Sequence, residues 1–279
     1  MTKTWFITGT SSGFGRQLTE LLLERGNRVA ATVRNSVDIA DLKARYGDRL
    51  WVGNLDVTDA EAISSVVTMA FHDLGRIDFV VSNAGYALFG AAEELGDAQI
   101  ERQIDTNLLG SIRLARAVIP HLRSQRGGGR IFQISSSVGQ AAYPTMGVYA
   151  ATKWGIEGFF EGTIPEIAAF GIEVTLVEPG ASRTNFAGSS ADGAPVLDVY
   201  DQTGAGDFRR AIQAAGLKMF RGDPRKVAAA IIASSEVHPA PKRLTLGSDA
   251  YELVHSALAE RLAALQSQKD VAFSTDVDE

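Results

Sequence analysis

Tyr149 and Lys153 stand four residues apart in the stretch YAATK, at the start of a long apolar segment with helical spacing. Residues at that interval share a helix face, so the ammonium can lie beside the phenol. A free tyrosine has a pKa of about 10, and a nearby cation favours the phenolate, which lowers the barrier to using the group as an acid or base near neutral pH. Thirteen positions earlier, Ser136 in ISSSVG adds a hydroxyl. Together these groups would polarise an oxygen atom and move a proton to or from it. The pair alone is equally what a half-buried tyrosine beside a snorkelling lysine would give, so the surrounding elements have to decide.

Short apolar runs alternate with longer amphipathic ones along the chain. TWFITG, RVAATV, RLWVGNLDV, IDFVVSN, RIFQISS, IEVTLVEPG and KRLTLG read as strands. FGRQLTELLLERG and DIADLKARYG read as helices ending at Gly26 and Gly47, and further helices run from about Asp59 to Leu74, from about Asp97 to Arg123, and through YAATK. This alternation implies an α/β fold: a doubly wound parallel sheet, helices on both faces, right-handed crossovers. Neither a repeat nor an interdomain linker is visible, so a single domain over 1–265 is expected, followed by a flexible tail over 266–279. Only residues 181–222 break the rhythm. They are rich in Gly, Ala, Ser and Asp with scattered Phe186, Leu197, Tyr200, Phe208 and Phe220, and a loop of that length suits a substrate lid.

The first strand runs into TGTSSGFG and then directly into a helix. A glycine-rich strand-to-helix turn lets the backbone approach a pyrophosphate and aims helix N-terminal amides at it. Gly9, Ser11, Ser12, Gly13, Phe14 and Gly15 are therefore candidates for binding a dinucleotide, although the spacing is G-x-x-x-G-x-G and not G-x-G-x-x-G. The second strand ends in Arg34 and Asn35, with no acid before Asp38. An acid there would hold a ribose 2′-OH, whereas an arginine accommodates a 2′-phosphate, so NADP is favoured and NAD is the alternative. Asp56, next to Val57, can accept from an adenine amino group, while Asp59 is the better cap for the next helix. Asn83, Ala84 and Gly85 end the fourth strand, where small residues allow close approach and Asn83 can also stabilise a turn.

Composition narrows the function. The 279 residues are 45% hydrophobic and 22% charged, an ordinary globular balance with length enough for a large core. Absence of cysteine excludes disulfides, thiolate metal sites and a cysteine nucleophile. His72, His121, His238 and His255 are scattered without metal-ligand spacing, so no metal is expected. A formal charge of −6 and the lack of a basic cluster argue against nucleic acid. No run approaches eighteen apolar residues, and the N-terminus carries no signal-peptide pattern, so no membrane association and a cytoplasmic location are expected.

TGTSSGFG, SNAG, Asn107 in DTNLLGS, ISSSVG, YAATK and PGASRT occur in the order and spacing of the short-chain dehydrogenase/reductase family, and the chain resembles that family from about Thr4 to Gly247. The resemblance implies a single-domain, seven-stranded Rossmann sheet, a nicotinamide cofactor and an Asn-Ser-Tyr-Lys set. It assigns Tyr149 as general acid/base and Ser136 as the group polarising the substrate oxygen. Lys153 would lower the tyrosine pKa and contact the nicotinamide ribose, and Asn107 would hold a water in a proton relay to Lys153. Pro179, Gly180 and Thr184 would flank the nicotinamide, with Thr184 bonding its carboxamide. Two positions depart from the pattern: Ser82 stands where an asparagine is frequent, and Ser12 where many NADP-preferring relatives carry a basic residue.

A hydride transferred between nicotinamide and a carbonyl or alcohol carbon is the expected reaction. Tyr143 and Phe186, with Tyr86, Leu88, Phe89, Met146, Leu197, Tyr200 and Phe208, would join Ser136 and Tyr149 in an apolar pocket, which suits a bulky apolar ketone or secondary alcohol. SSGFG and the C-terminal extension resemble branches handling steroid or retinoid-like alcohols. Relatives commonly pair as dimers or tetramers through the helices of Asn107 and Tyr149, so a homo-oligomer is expected, with Trp154, Phe159 and Phe160 facing a partner or the core. A non-catalytic dinucleotide sensor is the other reading, but it would not need all four catalytic positions filled.

Overall fold

The computed structural model describes residues 2–184 and 191–277. Seven strands form the central sheet: β1 (Thr4–Thr8), β2 (Arg28–Val33), β3 (Leu50–Asn54), β4 (Phe79–Ser82), β6 (Gly129–Ile134), β7 (Ile172–Pro179) and β9 (Arg243–Leu246). Their order is β3-β2-β1-β4-β6-β7-β9, every pair parallel. The predicted doubly wound sheet is what forms. Two short strands outside the reading, β5 (Ala87–Phe89) and β8 (Ala191–Gly193), pair in parallel beside it.

Strands buried on both faces need apolar side chains at every position, which explains their continuous apolar runs. The two-residue period sends Phe6, Val80, Ile131 and Val174 to one layer, against α3 (Ala60–Leu74), α5 (Gly110–Ser124) and α6 (Gly147–Ile167). It sends Trp5, Ile7, Phe79, Val81 and Phe132 to the other, against α1 (Gly13–Glu24), α2 (Ala40–Tyr46) and α8 (Pro224–Ser234). There Trp5 packs on Phe79 at 4.3 Å and on Phe132 at 5.7 Å between ring centroids, joining β1, β4 and β6. Asp59 caps α3, accepting from Glu61 N and Ala62 N.

One predicted helix is modified. The helix over Asp97–Arg123 consists of α4 (Asp97–Ile104), a π turn over Asp105–Leu109, and α5, in unbroken succession. The extra residue of a π turn is invisible to a 3.6-residue pattern, and such turns recur at functional sites. It holds Asn107. Gly110 sits where a Cβ would come within 2.8 Å of the Val57 carbonyl, so this helix lies tight against the loop after β3.

Of the lid segment, the described residues carry a 3₁₀ turn (Asp198–Tyr200) and α7 (Gly204–Ala215), a helix where the sequence predicts loop. Its neck is closed by Gly222 N to Ala181 O and Arg183 N to Gly222 O, both 2.9 Å. Leu197 N donates to the buried Glu94 carboxylate at 2.9 Å, and Arg209 of α7 pairs with the same group. After β9, α9 (Ser248–Ser267) extends two residues into the 266–279 segment, where a short exposed helix, α10 (Lys269–Phe273), follows. Trp154 is 43% exposed while Phe160 is buried, so of that aromatic group only Phe160 belongs wholly to the core.

Phe132→Ala should lower the unfolding free energy by about 3–5 kcal/mol, the usual cost of deleting a fully buried aromatic side chain. Urea denaturation followed by tryptophan fluorescence measures it.

Candidate active site

In a parallel sheet every strand delivers its following loop to the same edge, and a cleft of about 1630 Å³ runs along that edge. Pockets for one small ligand run to roughly 300–1,000 Å³, so this one has room for a dinucleotide and a second molecule. Gly9, Ser11, Ser12, Gly13 and Phe14 line it after β1; Arg34 after β2; Asp56 and Val57 after β3; Asn83, Ala84 and Gly85 after β4. Ser136 and Tyr143 follow β6, Tyr149 and Lys153 come from α6, and Pro179, Gly180 and Thr184 from the end of β7. Phe186 lies outside the described residues.

The turn after β1 is shaped by close approach. Gly9 has φ +70, and a Cβ there would stand 2.9 Å from Ala84 Cα. Gly15 does not line the cleft; it packs beneath Gly9, and a Cβ would stand 2.6 Å from Asn83 Nδ2. Asn83 donates to Thr8 O at 2.8 Å and to Gly9 O at 3.0 Å, while its backbone N and that of Ala84 both donate to Thr8 Oγ1 at 3.0 Å. Asn83 thus holds the glycine turn onto the end of β4, the turn-stabilising role open to it from sequence. Ser12 N-caps α1 without a side-chain bond, which leaves the first amides of that helix turned to the cleft rim for an anion. At the end of β2, Arg34 is exposed and makes no hydrogen bond or ion pair among the described residues. Asp56 accepts from Thr58 N at 3.0 Å and Thr58 Oγ1 at 2.8 Å, an Asx turn that keeps its second oxygen clear. These features fit a dinucleotide.

Ser136, Tyr149 and Lys153 converge at the end of β6. Ser136 Oγ accepts from Val138 N at 3.2 Å, capping a short 3₁₀ turn, and its hydroxyl is hydrogen-bonded with Tyr149. Lys153 Nζ donates to Ile134 O at 2.9 Å and lies 5.6 Å from the Tyr149 ring centroid. Burial pushes the Tyr149 phenol well above its usual range, only partly offset by the Ser136 hydrogen bond. Burial also pulls Lys153 down to about 8, against the attraction of Glu157. The expectation that Lys153 brings the tyrosine down is therefore outweighed here by desolvation: Tyr149 is a phenol across the physiological range.

Asn107 is buried and stands apart from the cleft wall. Its Oδ1 accepts from Tyr86 N at 3.1 Å and its Nδ2 donates to Tyr86 O at 2.8 Å, so its amide clamps the loop after SNAG; Gly85 is small because a Cβ would approach Asn107 Oδ1 to 3.0 Å. Sequence reasoning missed several partners. Thr8 heads the TGTSSGFG motif without itself suggesting a role, and Gln103, whose Nε2 also donates to Tyr86 O at 2.9 Å, lies in no motif. Asp249 lines the cleft and accepts from Ala181 N at 2.7 Å, in the space a side chain at Gly180 would need. Glu157 alone had a readable signal, the next four-residue step after Tyr149 and Lys153.

The family described as short chain dehydrogenase matches residues 3–194, and this chain belongs to it. "Oxidoreductase BOA17" of Botryotinia fuckeliana is 37% identical over 266 residues, 95% of each chain. A 3-ketodihydrosphingosine reductase of Bacteroides thetaiotaomicron is 33% identical over 229 residues, 81% of this chain and 80% of that protein. Among solved structures, a short-chain dehydrogenase from Streptomyces avermitilis superposes with a TM-score of 0.91 at 37% identity, covering 99% of this chain and 98% of the other. ElxO with NADP bound superposes with a TM-score of 0.72 at 26% identity, covering 88% and 97%. The chain is an oxidoreductase of this family, an enzyme acting on CH-OH or C=O groups.

Burial of Lys153 makes a pH-dependent prediction. Its folded pKa lies below the usual 10.5, so unfolding takes up a proton between about pH 8 and 10.5. The burial penalty is full below pH 8 and relieved as pH rises through that window. Relative to Lys153→Met, which lacks this titration, the parent should gain stability on the order of 1–3 kcal/mol as pH rises from about 8 to 10.5; urea unfolding at successive pH values measures it.

Proposed function

We propose that this enzyme reduces a bulky, mostly apolar ketone, or oxidises the matching secondary alcohol, with NADP(H), using Tyr149 as general acid/base, Ser136 as oxygen polariser and Lys153 as the supporting cation. The observation that carries this reading is the meeting of Ser136, Tyr149 and Lys153 on one wall of the cleft. The bound dinucleotide supplies the hydride. Ser136 Oγ accepts from Val138 N and its hydroxyl is hydrogen-bonded with Tyr149, so a substrate oxygen placed between the two hydroxyls would take over that bond. Ser136 and Tyr149 would then donate to the carbonyl oxygen as negative charge develops on it, and the phenol, kept protonated by burial, passes its proton to that oxygen. The ammonium of Lys153 offsets the charge left on the phenolate. Asn107 would support the site through the Tyr86 loop, with its expected part in a water relay to Lys153 as a further role; Pro179, Gly180 and Thr184 would face the nicotinamide.

NADP is preferred because Arg34 is the one side chain at the end of β2 with a guanidinium free for a 2′-phosphate, and no acid stands there to repel it. An NADP-bound relative of the same fold supports this. Ser12, which offers no charge at the turn, is the observation favouring NAD. Apolar substrate is supported by Phe89, Tyr143, Met146, Phe208, Ile212 and Leu253 on the cleft wall, with Tyr143 stacked on Phe208 at 5.3 Å, and by the 3-ketodihydrosphingosine in the name of the Bacteroides relative. A homo-oligomer, dimer or tetramer, is proposed through the long helices, where Leu109 and Trp154 are exposed. Among the described residues no helix is long and apolar enough to cross a membrane; a cytoplasmic location is part of the same proposal.

Tyr149→Phe should reduce turnover roughly 100- to 10,000-fold while leaving NADPH affinity intact; a variant that still turns over at the parent rate would refute the assignment. Titration with NADPH and NADH, followed by nicotinamide fluorescence, should show tighter NADPH binding. Arg34→Ala should weaken NADPH roughly 10- to 100-fold and leave NADH unchanged. Tighter NADH binding by the parent would overturn the role of Arg34.

A further inference from the structure

Lys153 is a buried cation, and a buried cation needs a counter-charge. Three residues of α6 at four-residue intervals, Tyr149, Lys153 and Glu157, meet three consecutive residues at the end of β6. Tyr149 is hydrogen-bonded with Ser136, Lys153 bonds the Ile134 carbonyl, and the Glu157 carboxylate accepts from Ser135 Oγ. Glu157 is 3% exposed. Its other oxygen accepts from Gln140 Nε2 at 2.7 Å and from Arg243 of β9 at 2.5 Å. Arg243 also pairs with Glu178 of β7 and, at the exposed rim, with Glu161 of α6 at 2.5 Å; Thr245 Oγ1 donates to Glu178 at 2.9 Å. Gly139 closes the turn after Ser136 against this group, since a Cβ there would stand 2.6 Å from Glu157 Cδ.

The charges balance only if Lys153 is counted. The two buried carboxylates, Glu157 and Glu178, share Arg243, and Lys153, one turn from Glu157 on α6 and attracted by it, supplies the second positive charge; Glu161 stands at the surface, 64% exposed. We propose that Glu157 is a positioning residue of the active site: its carboxylate keeps Lys153 an ammonium and clamps Ser135, so that the neighbouring Ser136 is presented to Tyr149. This rests on the reading of Ser136, Tyr149 and Lys153 as the proton-transfer set. An ion cluster that merely ties β9 and β7 to α6 would leave the Lys153 titration indifferent to Glu157, which separates the two roles.

The test needs no substrate. In protein labelled with ¹⁵N at lysine, Lys153 is one of seven lysines, and its signal is assigned by its loss in Lys153→Met. Its midpoint, at about 8 in the parent, should move to lower pH in Glu157→Gln, where the amide oxygen still accepts from Ser135 but the charge is gone. Glu161→Gln, at the rim, should leave it unmoved. Glu157→Asp, which keeps the charge one methylene further away, should give an intermediate midpoint and serves if the glutamine variant does not fold. An unmoved midpoint in folded Glu157→Gln, or in folded Glu157→Asp should the glutamine variant not fold, would overturn the proposal. NADPH titration of the same samples keeps the two readings apart: a parent that fails to bind sinks the cofactor assignment and leaves the lysine result standing, while normal binding with an unmoved midpoint sinks only the role of Glu157.

Discussion

The parallel hydrogen-bond ladder is the constraint on which the rest depends. Parallel strands cannot be joined by tight turns, so each must be followed by a crossover, and every crossover leaves from the same edge. The chain builds β1, β2 and β3 in one direction and β4, β6, β7 and β9 in the other, so the loops after β1 and β4 part company at the centre of the sheet. A crevice is unavoidable there. Asn83, Thr8, Gly9 and Gly15 shape its floor: four hydrogen bonds hold the β1 turn to the end of β4, and the glycines let the two backbones approach.

On the other side of the crevice the problem is electrostatic. Burial disfavours the charged form of both Tyr149 and Lys153, raising one and lowering the other. The neutral phenol is thereby stabilised as an acid, while the lysine is held as a cation close to its point of losing the charge. In the proposed reaction such a pair would move a proton with little rearrangement, because its surroundings are set by packing. Behind this wall of the cleft Arg243 gathers carboxylates from α6 and β7.

The lid segment is fastened at three places of different character. Its neck is closed by backbone hydrogen bonds, β8 pairs with β5, and Glu94 takes both Leu197 N and Arg209. A buried carboxylate satisfied by two backbone amides and a guanidinium is well placed to hold loop to scaffold, since loss of either partner would strand a charge. Phe208 and Tyr143, stacked face to face, bring α7 to the apolar side of the same cleft.

By itself the sequence determined the seven strands, their parallel pairing and the edge at which chemistry would gather, because two-sided burial demands continuous apolar runs and α/β alternation leaves one topology of crossover. It also singled out Tyr149, Lys153, Ser136 and the turn after β1, which the fold brings to one cleft. What only the tertiary structure decided are the properties that arise between elements distant in the chain. The π turn at Asn107 is one extra residue hidden inside a helical pattern. The clamp of Asn107 on Tyr86, the burial that sets Tyr149 and Lys153 on opposite sides of their usual pKa values, and the bridging of Glu157 to Glu178 by Arg243 all depend on which side chains meet after folding. Local periodicity records the element a residue belongs to. Desolvation and hydrogen bonding depend on neighbours that sequence separation conceals.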